Sequence, residues 1–200
     1  MDESFDILPL RPFTQAEIWP LVNGYETDEI YAVEKLESDT HTRFDIRLVK
    51  VGSPYQSNFY EDFASEECEY YQRLLATGYS FGAYLGERLI AVALAEALLD
   101  DSLLRVWEFH VHESFRRMGI GRALMARVVA RAEQDHLKMI KLETQNTNVK
   151  AIRFYRSMGF PLEAIDCSEY FNSEGQEAEQ VAFYMKRRIR EADMGKEANS

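Results

Sequence analysis

Between residues 116 and 122 the chain reads Arg116-Arg117-Met118-Gly119-Ile120-Gly121-Arg122, and the chemistry open to such a segment is anion binding. It follows an apolar, strand-like stretch (103–111) and opens a stretch of helical spacing (119–135). Amides at a helix start have no intrahelical acceptor, and the helix dipole adds positive potential there. Gly119 and Gly121 would let a pyrophosphate meet the backbone with no side chain in the way, and Arg116, Arg117 and Arg122 add countercharge. The bland alternative is a glycine turn with solvated arginines. No Gly-Lys-Ser/Thr follows, and the third glycine and early chain position of a dinucleotide fingerprint are missing. A phosphate-bearing ligand of another kind is left.

Four further positions, Glu108, His110, Glu143 and Tyr155, have reactive side chains. Glu108 and His110 lie in Val106-Trp107-Glu108-Phe109-His110-Val111, where a carboxylate among apolar neighbours is either exposed on one face or retained for chemistry. Strand alternation puts Glu108 with His110 and Trp107 with Phe109. Glu143, in Lys141-Leu142-Glu143-Thr144, is a rival base whose ordinary role is a buried carboxylate bonded to backbone. His110 can equally be a satisfied core histidine. Downstream, Asn148-x-x-Ala151-x-x-x-Tyr155 precedes Gly159-Phe160. Asn148 suits an N-cap, and Tyr155 offers an O–H donor or, with Phe154, a core aromatic pair.

The elements that must position these groups are legible. Residues 5–10 predict a strand, and Thr14-x-x-Glu17 a capping box that opens a helix to about residue 22. Residues 30–38 and 44–50 predict a hairpin turning at 39–42 with one wet face, and residues 52–64 a loop. A helix from Ser65 ends at Gly78; strands follow at 79–85, 89–97 and 103–111, antiparallel to one another. Helix 119–135, strand 139–144 and helix 148–159 imply a parallel crossover, and strands at 162–165 and 181–186 close the chain around a polar loop at 172–175. Residues 191–200 read as a disordered tail to one domain over 1–190.

Composition excludes several classes. A formal charge of −11, from 34 acidic against 23 basic side chains, repels nucleic-acid phosphates and would favour a cationic ligand, though solubility explains it as well. The start lacks signal-peptide character and the longest apolar run, 89–95, cannot span a bilayer, so a cytoplasmic protein with no membrane or nucleic-acid partner is expected. Cys68 and Cys167 lie far apart with no ligand-spaced His or Cys beside them, which predicts free thiols and no metal.

Arg116, Gly119 and Gly121 meet the signature Arg/Gln-x-x-Gly-x-Gly/Ala, and 148–160 meets Asn-x-x-Ala-x-x-x-Tyr with its terminal Gly-Phe, so the chain resembles the GNAT superfamily of N-acetyltransferases. Residues 142–145, 148–160, 164–166 and 170–172 look like the C-terminal half of streptothricin acetyltransferases; the likeness fades before residue 79. Those enzymes tend to have Glu-Asp where this chain has Trp107-Glu108.

The resemblance implies an α/β (α+β) fold, a mixed, mostly antiparallel sheet with splayed central strands flanked by helices. It implies acetyl-CoA as co-substrate, with the pyrophosphate on residues 116–122 and the pantetheine arm along Phe109, His110 and Val111 and beside Asn148 and Tyr155. A bulge is usual in the 103–111 strand. Tyr155 would be the general acid toward the departing thiolate. An alkylammonium has a pKa of about 10.4, so a base must take a proton, and Glu108 is the leading choice, with Glu143, His110 or water as rivals. The implied acceptor is a primary amine of a small cationic molecule, such as a streptothricin-like amino antibiotic, which would make the protein an antibiotic-resistance enzyme. A protein N-terminal acetyltransferase of the ribosomal-protein type and a non-catalytic acyl-CoA sensor are the alternatives, and the assembly is a monomer or homodimer.

Overall fold

The computed structural model describes residues 4–22, 24–57, 65–170 and 180–189. The chain forms two compact units, Met1–Asn23, Tyr60–Leu142 and Lys186–Ser200 in one, and Gly24–Phe59 and Glu143–Met185 in the other. The first has neighbouring strands in the order β1 (Asp6–Pro9), β4 (Phe81–Leu85), β5 (Arg88–Leu98), β6 (Leu103–Val111) and β7 (Met139–Gln145). The second has β9 (Ala182–Arg188) beside β8 (Leu162–Asp166), and the separate hairpin of β2 (Tyr25–Glu37) and β3 (Thr42–Ser57). The β6–β7 ladder is parallel and the β1–β4, β4–β5, β5–β6, β2–β3 and β8–β9 ladders are antiparallel, the mixed α/β sheet that the sequence implies.

In the first unit, Thr14 and Glu17 form the expected capping box at α1 (Gln15–Ile18). The helix stops at Ile18 rather than near residue 22, because Pro20 has no N–H for the next helical bond and cannot sit in a helix interior. The core is the run Ile90 to Ala95 in β5 with Phe81 and Leu104, covered by Leu124, Met125, Val128, Val129 and Ala132 of α3 (Ile120–Gln134). Their spacing is the i, i+4 stripe of a helix lying on a sheet, each large side chain contributing about 1.5–3 kcal/mol of burial. Asp135 closes α3 by accepting from the Tyr79 hydroxyl at 2.5 Å and from Arg131 at 2.9 Å. Helix α2 (Ser65–Leu74) continues as a 3-10 turn to Thr77 and ends at Gly78, whose φ of 75° is the left-handed cap expected there.

In the second unit the hairpin is longer than predicted. β3 continues through residues 52–57, which the sequence suggests are loop, while 58–64 lie outside the described residues. The reason is an irregular ladder: Thr27 pairs Tyr55 but Glu29 pairs Lys50, so the Gly52-Ser53-Pro54 punctuation is taken up as an insertion opposite Asp28. The apolar alternation of Phe44 and Leu48 is real, yet both remain 40% exposed. Helix α4 (Val149–Ser157) contacts β2 through Arg153 to Glu29 and Arg156 to the Tyr31 hydroxyl, each at 2.8 Å. Buried Asn146 bonds Tyr31 through both its main-chain carbonyl and its side-chain amide, and Val181 through its main-chain N–H and its side-chain oxygen. The polar loop at 172–175 and the tail beyond 190 lie outside the described residues.

Burial pushes the Tyr25 hydroxyl, which shares a 2.5 Å hydrogen bond with Thr147, up to about 12. Tyr184, desolvated and donating to Glu169 at 2.9 Å, is likewise pushed up to about 12. Both are neutral in the fold up to that pH, whereas an unfolded tyrosine ionises near 10. Each contribution is therefore complete below pH 10 and is lost as the pH rises toward 12, amounting to about 3 kcal/mol at most for Tyr25 and to less for the more solvated Tyr184. Urea titrations at pH 9 and pH 11.5 will show a lower midpoint at the higher pH, and Tyr25→Phe will flatten that dependence.

Candidate functional site

The strand that holds Glu108 is irregular where the resemblance implies it should be. Against β5, Leu94 pairs Glu108 but Ala95 pairs Val106, so Trp107 is an extra residue, a β-bulge. Its side chain is held on both sides: the indole N–H donates to Glu96 Oε2 at 3.0 Å, and the Arg105 guanidinium lies 3.5 Å from the ring centroid. The Tyr70 hydroxyl donates to the same Glu96 oxygen at 3.0 Å, and the Tyr70 ring meets Trp107 edge-on at 5.7 Å.

Beyond the bulge, Glu108 and His110 share a face as alternation predicts, with His110 Nε2 2.6 Å from Glu108 Oε2. The other carboxylate oxygen accepts the Tyr71 hydroxyl at 2.8 Å. The two side chains are 25% and 14% exposed, so Glu108 is reachable by a proton donor while His110 is largely covered. Trp107 is grouped with Arg105 and Glu96, the bulge having displaced it from the regular alternation. The β6–β7 ladder runs from Leu103↔Met139 to Val106↔Leu142, and β6 continues past it through Phe109, His110 and Val111, each partly exposed.

The segment before α3 is shaped by two left-handed residues, Arg117 at φ 64° and Gly119 at φ 84°. A non-glycine residue in that region costs about 1–2 kcal/mol. Gly119 is the N-cap and makes no side-chain cap, and a Cβ built on it would meet nothing within 4 Å. The helix start is therefore an open, positively polarised backbone surface, beside Gly121 in the first turn. Arg117, Met118 and Arg122 are exposed; Arg116 is exposed too, but its Nε donates to the Val111 carbonyl at 3.1 Å, which ties the loop to the end of β6. The Ile120 side chain is core, so a ligand there could use only its amide.

Asn148 and Tyr155 share α4 in the second unit. Asn148 is the N-cap, its side-chain oxygen accepting from the Ala151 amide at 3.2 Å. Tyr155 is 7% exposed, with its ring 5.4 Å from Phe154 and 6.4 Å from Phe160. Glu143 accepts the Tyr170 hydroxyl at 2.5 Å, and burial followed by that carboxylate raises the Tyr170 hydroxyl well above its usual range.

Sequence reasoning missed Tyr71, Tyr70 and Glu96, since partners on α2 and β5 come from tertiary packing. A carboxylate in an apolar strand requires donors, which was the one available signal. Among the described residues no group of His, Cys, Asp and Glu could hold a metal, Cys68 and Cys167 are not joined in a disulfide, and no helix is long and apolar enough to cross a membrane.

The sequence is similar to those of several known proteins. It is 29% identical over 90 residues to the [ribosomal protein bS18]-alanine N-acetyltransferase of Escherichia coli (strain K12), covering 45% of this chain and 60% of that protein. The chain thus spans less than two thirds of that relative. It is 26% identical over 163 residues to a streptothricin acetyltransferase of Escherichia coli, covering 76% of this chain and 87% of the relative. Among solved structures, a streptothricin acetyltransferase candidate from Bacillus anthracis str. Ames, in complex with acetyl coenzyme A, has the same fold at a TM-score of 0.70 and 19% identity, over 94% of this chain and 99% of that one. The family model of the acetyltransferase (GNAT) family matches residues 32–160. That match takes in the bulged strand, the helix start and the Asn148–Tyr155 motif, and the chain belongs to the GNAT acetyltransferase family.

Proposed function

We propose that the protein is an acetyl-CoA-dependent N-acetyltransferase acting on a primary amine of a small cationic molecule, of the streptothricin-like amino-antibiotic class. The observation that carries the reading is the start of α3, where left-handed Arg117 and Gly119 precede an uncapped helix whose space above Gly119 is open. Such a surface suits a pyrophosphate. Phe109, His110 and Val111 would present backbone to the pantetheine arm, and Arg116, Arg117, Met118, Ile120, Gly121 and Arg122 would surround the phosphates. The small-amine acceptor is favoured over a protein N-terminus because the streptothricin acetyltransferase likeness spans 76% of this chain, against 45% for the bS18 enzyme.

In the proposed reaction the amine nitrogen attacks the thioester carbonyl carbon, and a β6 backbone amide near residues 109–111 stabilises the oxyanion. Glu108 takes the proton that the nitrogen loses. The C–S bond then breaks as Tyr155 gives its proton to sulfur, leaving an amide and free coenzyme A thiol. Asn148 would bound the coenzyme arm. A screen of amino antibiotics, polyamines and N-terminal peptides with thiol release as readout tests the acceptor class; release with streptothricin but not with peptides is expected, and release with peptides alone would overturn it.

Gly121→Asp will weaken acetyl-CoA binding by at least tenfold in calorimetry, since a carboxylate at the helix start repels phosphate by more than about 1.4 kcal/mol. Glu108→Gln will lower kcat/KM most at neutral and low pH, where the amine is most protonated, and an unaltered profile would move the role to Glu143 or solvent. Tyr155→Phe will lower kcat and kcat/KM together by about 10²-fold while the acetyl-CoA Kd hardly moves. A core tyrosine would instead lose about 1 kcal/mol of stability with turnover intact, so full activity in a less stable variant excludes the acid role.

A further inference from the structure

We infer that Tyr71 is a positioning residue for Glu108, an inference that rests on the reading of Glu108 as the proton acceptor. A glutamate has three side-chain torsions, and a half-exposed one samples several rotamers, so a base on a strand needs something to hold its carboxylate. The Tyr71 hydroxyl, carried on a buried ring of α2, donates to Oε1 at 2.8 Å, while His110 Nε2 lies 2.6 Å from Oε2. Two donors on opposite oxygens fix both the position and the plane of the group. A carboxylate has about four acceptor sites. With 25% of the side chain exposed, capacity remains for a substrate N–H or an ordered water.

The neighbouring contacts give this clamp a rigid base. Tyr70, adjacent on α2, donates to Glu96 on β5, and the same Glu96 oxygen takes the indole N–H of the bulge residue Trp107. The Tyr70 and Tyr71 rings are 5.6 Å apart. One turn of α2 thus holds the bulge through Glu96 and the carboxylate after it through Tyr71, so neither strand register nor side-chain torsion is left to sample. Both links are needed: the bulge sets the direction in which Glu108 leaves the strand, and the phenol sets where its oxygens stop. A base misplaced by about 1 Å loses much of its effect, because proton transfer requires hydrogen-bond contact.

The test is a double-mutant cycle on the whole protein, with rates normalised to the fraction of each preparation that binds acetyl-CoA. Tyr71→Phe keeps the ring and removes one hydroxyl. It will lower kcat about tenfold, the size of one hydrogen bond to a charged group, with little change in amine KM or acetyl-CoA Kd. In a Glu108→Gln background the same change will have no further effect on kcat. An equal loss in both backgrounds would make Tyr71 merely structural and overturn the inference while leaving Glu108 as base. If Glu108→Gln by itself leaves kcat and its pH profile unaltered, the base assignment fails and the role of Tyr71 falls with it. Tyr71→Leu, lacking both ring and hydroxyl, provides the second arm: a fall in the coenzyme-binding fraction beyond that of Tyr71→Phe, with the same kcat per binding site, supports a hydroxyl role separate from packing.

Discussion

One extra residue in β6 decides which side chains the strand presents. A strand repeats with period two, so inserting Trp107 opposite Ala95 turns the strand beyond it, with Glu108 and His110 coming out together. Bulges are costly unless the displaced residue finds partners, and Trp107 finds them in Glu96 and the Arg105 guanidinium. Glu96 in turn bonds Tyr70 of α2. The bulge is therefore held by polar groups at the sheet's surface, while the apolar run of β5 behind it supplies the burial that keeps the strand in place.

The second unit is organised around a buried amide. Asn146 satisfies its main-chain and side-chain polar groups on Tyr31 and Val181, two segments distant in sequence. Buried polar groups left unpaired cost about 1–3 kcal/mol each, so this arrangement tolerates no other side chain of similar size. Two residues later Asn148 caps α4, and the helix continues to Tyr155 with its ring against Phe160. The placement of the proposed acid thus follows from a hub that is itself remote from chemistry.

The α3 start combines strain with openness. Arg117 holds a left-handed conformation that a non-glycine residue avoids, and Arg116 is bonded to the end of β6 by its Nε. The strain is stabilised by α3, whose buried face anchors the loop from one side. What results is an open, positively polarised turn on a protein of net charge −11.

Local signals in the sequence were sufficient for most of the elements, though not for all of their ends. Thr14 and Glu17 announced a capping box, Gly78 and Gly159 announced left-handed helix ends, and the spacing in 119–135 announced α3, because each depends on neighbours a turn away. Pro20 was equally visible and ends α1 early, a proline effect that the capping box alone does not anticipate. The extent of β3 was hidden, since an insertion opposite Asp28 lets Gly52-Ser53-Pro54 sit inside a ladder that their types argue against. Hidden too were Tyr71 beside Glu108, Tyr170 on Glu143 and Asn146 between Tyr31 and Val181. Such pairings join residues dozens of positions apart. They are decided when sheets and helices pack, because only then does a buried carboxylate or amide meet the donors that make its burial tolerable.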